Sequence, residues 1–126
     1  MREPVMQNLT HQEKRIWYLE KLHQGTSMWN LPHTVKFKGI ADRILLENAI
    51  NLAIMKNDSL RIRITEADGE PYQYVSNYSR KDIDYIDLSG MDESESAEHI
   101  RQLSCRPFGL IGSELFYFAI VKFNEE

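Results

Sequence analysis

One cysteine, Cys105, is the only thiol in the chain. A lone cysteine closes no internal disulfide and offers no cluster for zinc, which fits a reducing compartment. Histidine is equally sparse. His11, His23, His33 and His99 show no H-x-x-x-H or H-E-x-x-H spacing, so no helix face carries two metal ligands and each histidine reads as structural or exposed. Gly109 and Gly112 stand isolated, with no G-x-G-x-x-G and no G-K-[ST], which excludes the usual phosphate-cradling loops. No G-x-S-x-G elbow presents a nucleophile. On motifs alone the sequence offers no catalytic centre, no metal site and no directly bound cofactor.

Long apolar runs are missing as well. The longest strongly apolar stretch, residues 115–121, is far too short to cross a bilayer. The first eight residues lack the apolar core of a signal peptide. The expectation is a cytoplasmic protein with no membrane partner. A basic excess is also absent: the formal net charge is −4, which gives no support for a nucleic-acid partner. What is present is ordinary globular material, 126 residues at 42% hydrophobic and 27% charged, enough to bury one real core. Residues 82–99 are acidic without a lysine or arginine, and read as a solvated loop and helix start with a locally negative surface.

Along the chain, Thr10 followed by Glu13 forms a capping-box pattern, since each side chain can satisfy an orphan backbone donor of the other. The helix it opens carries Ile16, Leu19 and Leu22 toward a core, with Trp17 and Tyr18 beside them, and Gly25 ends it. Residues 33–38 alternate, with Val35 and Phe37 on one face, and predict a half-buried strand. Asp42 opens a second helix in which Leu46, Ala49, Ile50, Ala53 and Ile54 recur at 3.6-residue spacing, ending near Asn57 and Asp58. Residues 60–64 alternate strictly, which predicts a strand with Arg61 and Arg63 opposite the isoleucines. Asp68-Gly69 is a hairpin signal, and residues 72–75 make the return strand. Residues 83–88 form a short strand. Residues 94–106 form a helix with Ala97, Ile100 and Leu103 on one face, stopped by Pro107. Residues 115–123 are apolar on both faces and read as an interior strand covered on both sides. The chain is an α/β (α+β) domain, a mixed sheet with helices packed on it.

Three residues stand out locally. Arg15 lies in the first helix beside Ile16 and Trp17, and Arg61 follows the second helix. The plain reading is a tryptophan packed in the core and two arginines making surface contacts.

The run Leu9-Thr10-His11-Gln12-Glu13-Lys14-Arg15-Ile16-Trp17-Tyr18-Leu19 resembles the first motif of the condensation domains of non-ribosomal peptide synthetases, S-x-A-Q-x-R-[LM]-[WY]-x-L. Thr10 takes the serine place; Arg15, Ile16, Trp17 and Leu19 match or nearly match. Gln12 and Glu13 depart, standing where Ala and Gln are usual. The second motif, R-H-E-x-L-R-T-x-F, is mirrored by residues 56–64, where Leu60 and Arg61 match and Lys56, Asp58 and Ile64 are conservative replacements. Residues 25–30 are similar to the family's linker into its first long strand. Asp68-Gly69-Glu70-Pro71 with Gln73 resembles the hairpin after the second motif. Pro107-Phe108-Gly109-Leu110 and Glu114-Leu115-Phe116 resemble the P-F-D-L…P-L-F stretch leading into the active-site strand. The motifs occur in order over nearly the whole chain.

The resemblance implies that residues 1–126 are the N-terminal portion of a condensation domain, a partial N-terminal lobe of a chloramphenicol acetyltransferase-like fold. The complete domain joins aminoacyl or peptidyl thioesters, delivered by peptidyl carrier proteins on phosphopantetheine arms, by amide formation. Its H-H-x-x-x-D-G motif follows shortly after the strand matching residues 115–123, and no such motif occurs here. A polypeptide ending at Glu126 is therefore expected to bear no catalytic residue and to be inactive alone. Arg61, and with it Arg15 and Trp17, would support the active-site region, one arginine pairing with the aspartate of the absent motif. Epimerisation and heterocyclisation relatives stay open. Partners implied are carrier proteins and the remaining lobes of the domain, with homo-oligomers forming through uncovered core. A second reading takes the elements from His33 onward as a βαββαβ ferredoxin-like unit with one added strand, a ligand-binding or dimerisation module without catalysis.

Overall fold

A computed structural model describes residues 3–123, so the last residues of the expected 1–126 domain lie outside the described ones. A short strand, β1 (Gln7–Asn8), precedes helix α1 (His11–Leu22). The predicted capping box is formed: Glu13 N–H donates to Thr10 Oγ1 at 3.2 Å, and Thr10 N–H to Glu13 Oε2 at 2.6 Å. The helix is capped at His23, two residues before Gly25. Its inward face differs from the expected one. Trp17 is 1% exposed while Leu22 is 77% exposed and Ile16 faces water. A single indole fills the inward position, and successive residues lie about 100° apart around a helix, so Ile16 and Leu22 cannot share that direction.

Helix α2 (Arg43–Lys56) opens at Asp42, whose carboxylate accepts the N–H groups of Ile44 and Leu45, as expected of an aspartate cap. Ile54 is buried on its inner face, Leu46, Ile50 and Ala53 are half-buried, and Ala49 is exposed. A 3₁₀ turn (Asp58–Arg61) follows. It displaces the predicted strand, which runs instead as β2 (Ile62–Ala67) and leaves Arg61 outside it. β2 pairs antiparallel with β3 (Glu70–Val75) from Ile62 opposite Val75 to Ala67 opposite Glu70. Asp68 and Gly69 turn between them with φ of 53° and 79°, the positive pair that a two-residue hairpin needs. β1 adds to the other edge of β3, giving a three-stranded sheet of order β1-β3-β2.

A second, separate sheet holds β4 (Asp84–Asp87) and β5 (Ala119–Lys122), which pair in parallel. Parallel neighbours need a crossover, and helix α3 (Glu93–Ser104) lies within it. α3 begins one residue earlier than expected because Asp92 and Glu95 make a second capping box. It ends at the Cys105 cap, since Arg106 precedes Pro107 and is disfavoured in helical conformation.

Two predicted strands are corrected. Residues 33–38 form no strand and join no sheet among the described residues, and Val35 and Phe37 are 74% and 66% exposed. An alternating stretch becomes a strand only where another strand accepts its ladder bonds. Of the strand expected over 115–123, only Ala119–Lys122 is strand, half-buried, with β4 as its neighbour among the described residues. It is not an interior strand covered on both sides. The ferredoxin-like reading fails with these corrections, because its first strand is missing and the remaining strands divide between two sheets. The core is small: Leu9, Trp17, Ile54, Ile83 and Leu88 are its buried apolar residues.

Candidate functional site

Arg61 occupies the last place of the 3₁₀ turn and folds back on the end of α2. Its Nη1 donates to the carbonyls of Ile54 and Met55 at 2.7 and 2.6 Å, Nε to the Ser76 carbonyl at 3.0 Å, and Nη2 to Asp58 Oδ1 at 2.7 Å. Ser76 N–H returns a bond to the Arg61 carbonyl at 2.8 Å. The side chain is 14% exposed. A guanidinium has five donors, and here it meets the carbonyls that a helix C-terminus leaves without partners, at the negative end of the helix dipole. Arg61 thus ties α2 to the end of β3, instead of lying on a strand face opposite the isoleucines.

Beside it, Arg63 on β2 and Lys81 in the β3–β4 connection both face one carboxylate, Glu114. Arg63 Nη2 lies 3.8 Å from Glu114 Oε1, and Lys81 Nζ pairs with the same oxygen. Asn51 fixes Lys81 from the other side. Its Oδ1 accepts the Lys81 N–H at 2.7 Å and the Tyr78 hydroxyl at 3.2 Å, while Nδ2 donates to the Lys81 and Glu47 carbonyls. Asn51 is 2% exposed and fully satisfied, so it belongs to a closed polar network. Sequence reasoning passed over it. The available signal was an asparagine set between Ile50 and Leu52, among the apolar residues of the helix, a residue that costs helix stability unless its amide is used.

The other two singled-out residues separate from this cluster. Trp17 is buried on α1, edge-on to Tyr18 at 4.9 Å between centroids and under Lys21 Nζ at 4.7 Å, and its Nε1 has no hydrogen-bond partner. Arg15 is exposed and makes no hydrogen bond or ion pair among the described residues. The cleft walled by Arg61, Arg63, Lys81 and Glu114 encloses about 10 Å³, room for about one water. A larger hollow of about 220 Å³ lies between Val5, Gln7, Ile62 and Tyr74, below the ~300 Å³ at which small-molecule sites begin. Among the described residues no group of three or more His, Cys, Asp or Glu is placed to hold a metal, and no helix is long and apolar enough to cross a membrane. The arrangement of these described residues can brace a larger structure.

Residues 5–126 match the family model described as the condensation domain. Surfactin synthase subunit 1 of Bacillus subtilis (strain 168) is 36% identical over an alignment of 124 positions that covers 93% of this chain and 3% of that protein. A plipastatin synthase of the same organism is 34% identical over 118 residues, 93% of this chain and 5% of that protein. The first condensation domain of the calcium-dependent antibiotic synthetase, solved with a substrate analogue, superposes with a TM-score of 0.81 at 22% identity, over 95% of this chain and 30% of that one. The starter condensation domain of rhizomide synthetase gives 0.83 at 20% identity, over 96% and 30%. Both structures show the fold, a portion of the chloramphenicol acetyltransferase-like architecture. The chain spans about 30% of those solved chains and 5% or less of the synthetases.

Proposed function

Because this chain belongs to the condensation-domain family, we propose that it supplies the N-terminal portion of a domain that forms amide bonds in non-ribosomal peptide synthesis. The supporting observation is the match of residues 5–126 to the family along nearly the whole chain. The reaction joins an acceptor amine to a donor thioester: the C–N bond forms, the C–S bond breaks, and the departing thiolate takes up the proton that the amine loses. Both acyl groups arrive on the phosphopantetheine arms of peptidyl carrier proteins, which are substrates and partners of the domain. Holding the arms together and away from water captures effective molarity and limits hydrolysis.

The H-H-x-x-x-D-G motif is not among these 126 residues. This chain's own contribution is scaffold. Arg61 locks the end of α2 to β3, Trp17 anchors α1, and Arg15 leaves a guanidinium exposed for a group outside the described residues. The exposed face of residues 33–38 is where the remainder of the domain packs. A chimera tests the reading. Residues 5–123 replace the matching part of the surfactin synthase condensation domain, and amide formation from carrier-bound thioesters is followed by mass spectrometry. Product is expected, and is expected to vanish when the second histidine of the motif is replaced by alanine. A folded chimera that binds both carriers and makes no amide would contradict the proposal.

A further inference from the structure

Among the described residues the two sheets share no ladder bond, and residues 106–118 run between them as a strap. At the strap's middle, Gly112 N–H donates to the Ile64 carbonyl of β2 at 2.8 Å. Arg63 Nη1 reaches back to the Gly112 carbonyl at 3.5 Å, and Glu114 closes the contact on Arg63 and Lys81. At the far end Tyr117 donates its hydroxyl to Asp84 Oδ2 of β4 at 2.5 Å, and the Arg106 guanidinium stacks 4.3 Å from the Tyr117 ring. The near end is held by Asn30, whose Nδ2 donates to the Ser104 and Arg106 carbonyls. The turn within the strap is tight: a Cβ added at Gly109 would stand 2.5 Å from Ser113 Oγ. Glu114 occupies the place of the proline in the P-L-F stretch that this segment resembles. In place of a stiff residue, the chain has a carboxylate that two cations on different elements hold.

We propose that Glu114 is a positioning residue: with Arg63 and Lys81 it clasps the strap to the first sheet and thereby sets β5, the strand that precedes the catalytic motif in this family. The clasp stands on geometry alone; its consequence for amide formation rests on the condensation reading. Lys81 can serve because Asn51 pins both its backbone N–H and its carbonyl to α2. One end of the clasp is therefore rigid, and its ammonium spends less freedom in pairing. The three side chains are each about one-third exposed, so the attraction is open to salt.

Amide hydrogen exchange of the 126-residue chain, with Glu114→Gln and Lys81→Met beside the wild type, reads the clasp directly. At low salt both variants are expected to exchange Gly112 and residues 115–118 about fivefold faster, with the Thr65–Tyr72 end of the hairpin unchanged. At ~1 M salt, where the screening length falls to ~3 Å, wild type and variants should converge. Equal exchange in all three proteins at low salt overturns the clasp. In the chimera described above, Glu114→Gln should lower kcat for amide formation and leave the KM for the carriers unchanged; an unaltered kcat with a freed strap overturns the positioning role. A wild-type chimera that forms no amide removes the condensation reading and the positioning role together, while the exchange result still decides the clasp.

Discussion

Arg61 shows how far a single side chain can be read from its neighbours in sequence. Its presence after an amphipathic helix marks it, but its partners depend on the 3₁₀ turn Asp58–Arg61, which alternation in residues 60–64 conceals. Two of its four bonds go to carbonyls at the end of α2, and nothing in the local pattern points there. The energetic consequence is definite. Arg61→Ala strips a nearly buried set of charge-assisted bonds and should cost about 2–3 kcal/mol. Arg61→Lys keeps the charge but loses the fork that spans Ile54, Met55, Asp58 and Ser76, and should recover roughly half. Urea unfolding of the three proteins measures this; a loss below ~0.5 kcal/mol in the alanine variant would assign the contacts to surface decoration.

Elements were legible where their ends carry side-chain chemistry. Thr10 with Glu13, and Asp42, fix the starts of α1 and α2 in sequence and in structure, because a cap is a local hydrogen bond. Asp68-Gly69 does the same for the hairpin. The strands of the second sheet were less legible, since a parallel pair is joined through distant residues: Asp84 meets Ala119. Tyr117 belongs to that joint. Burial first, then its bond to Asp84, raises its hydroxyl pKa above the ordinary tyrosine value. A raised pKa in the folded state means that the bond's stabilisation is complete below the unfolded value of ~10 and is lost as pH rises through the folded value. The stabilisation of wild type over Tyr117→Phe should therefore be full at pH 8 and shrink as the pH rises beyond the unfolded tyrosine value of ~10. A constant difference across that range would show that the hydroxyl does not join the strap to β4.

At the scale of the molecule, the two small sheets, the helices and the few buried apolar side chains among the described residues leave many large apolar side chains facing water. The stretch of residues 33–38 is the clearest case. Its alternation is that of a strand, its Val35 and Phe37 are open, and Lys36 Nζ lies 5.6 Å from the Phe123 ring at the end of β5. The sequence pattern marks a local preference and not the outcome, since a ladder needs a second strand and none meets this stretch among the described residues. Contiguous exposed apolar surface of this kind marks a packing face, and the relatives of known structure are about three times as long as the part matched. On the function proposed above, the rest of a condensation domain packs on this face. The most direct measurement is amide hydrogen exchange over residues 33–38 in the isolated chain and in the chimera. Fast exchange is predicted in the chain alone, with protection of at least about a hundredfold, some 2.7 kcal/mol of closure, once the remaining lobes are attached. Equally fast exchange in both would contradict it.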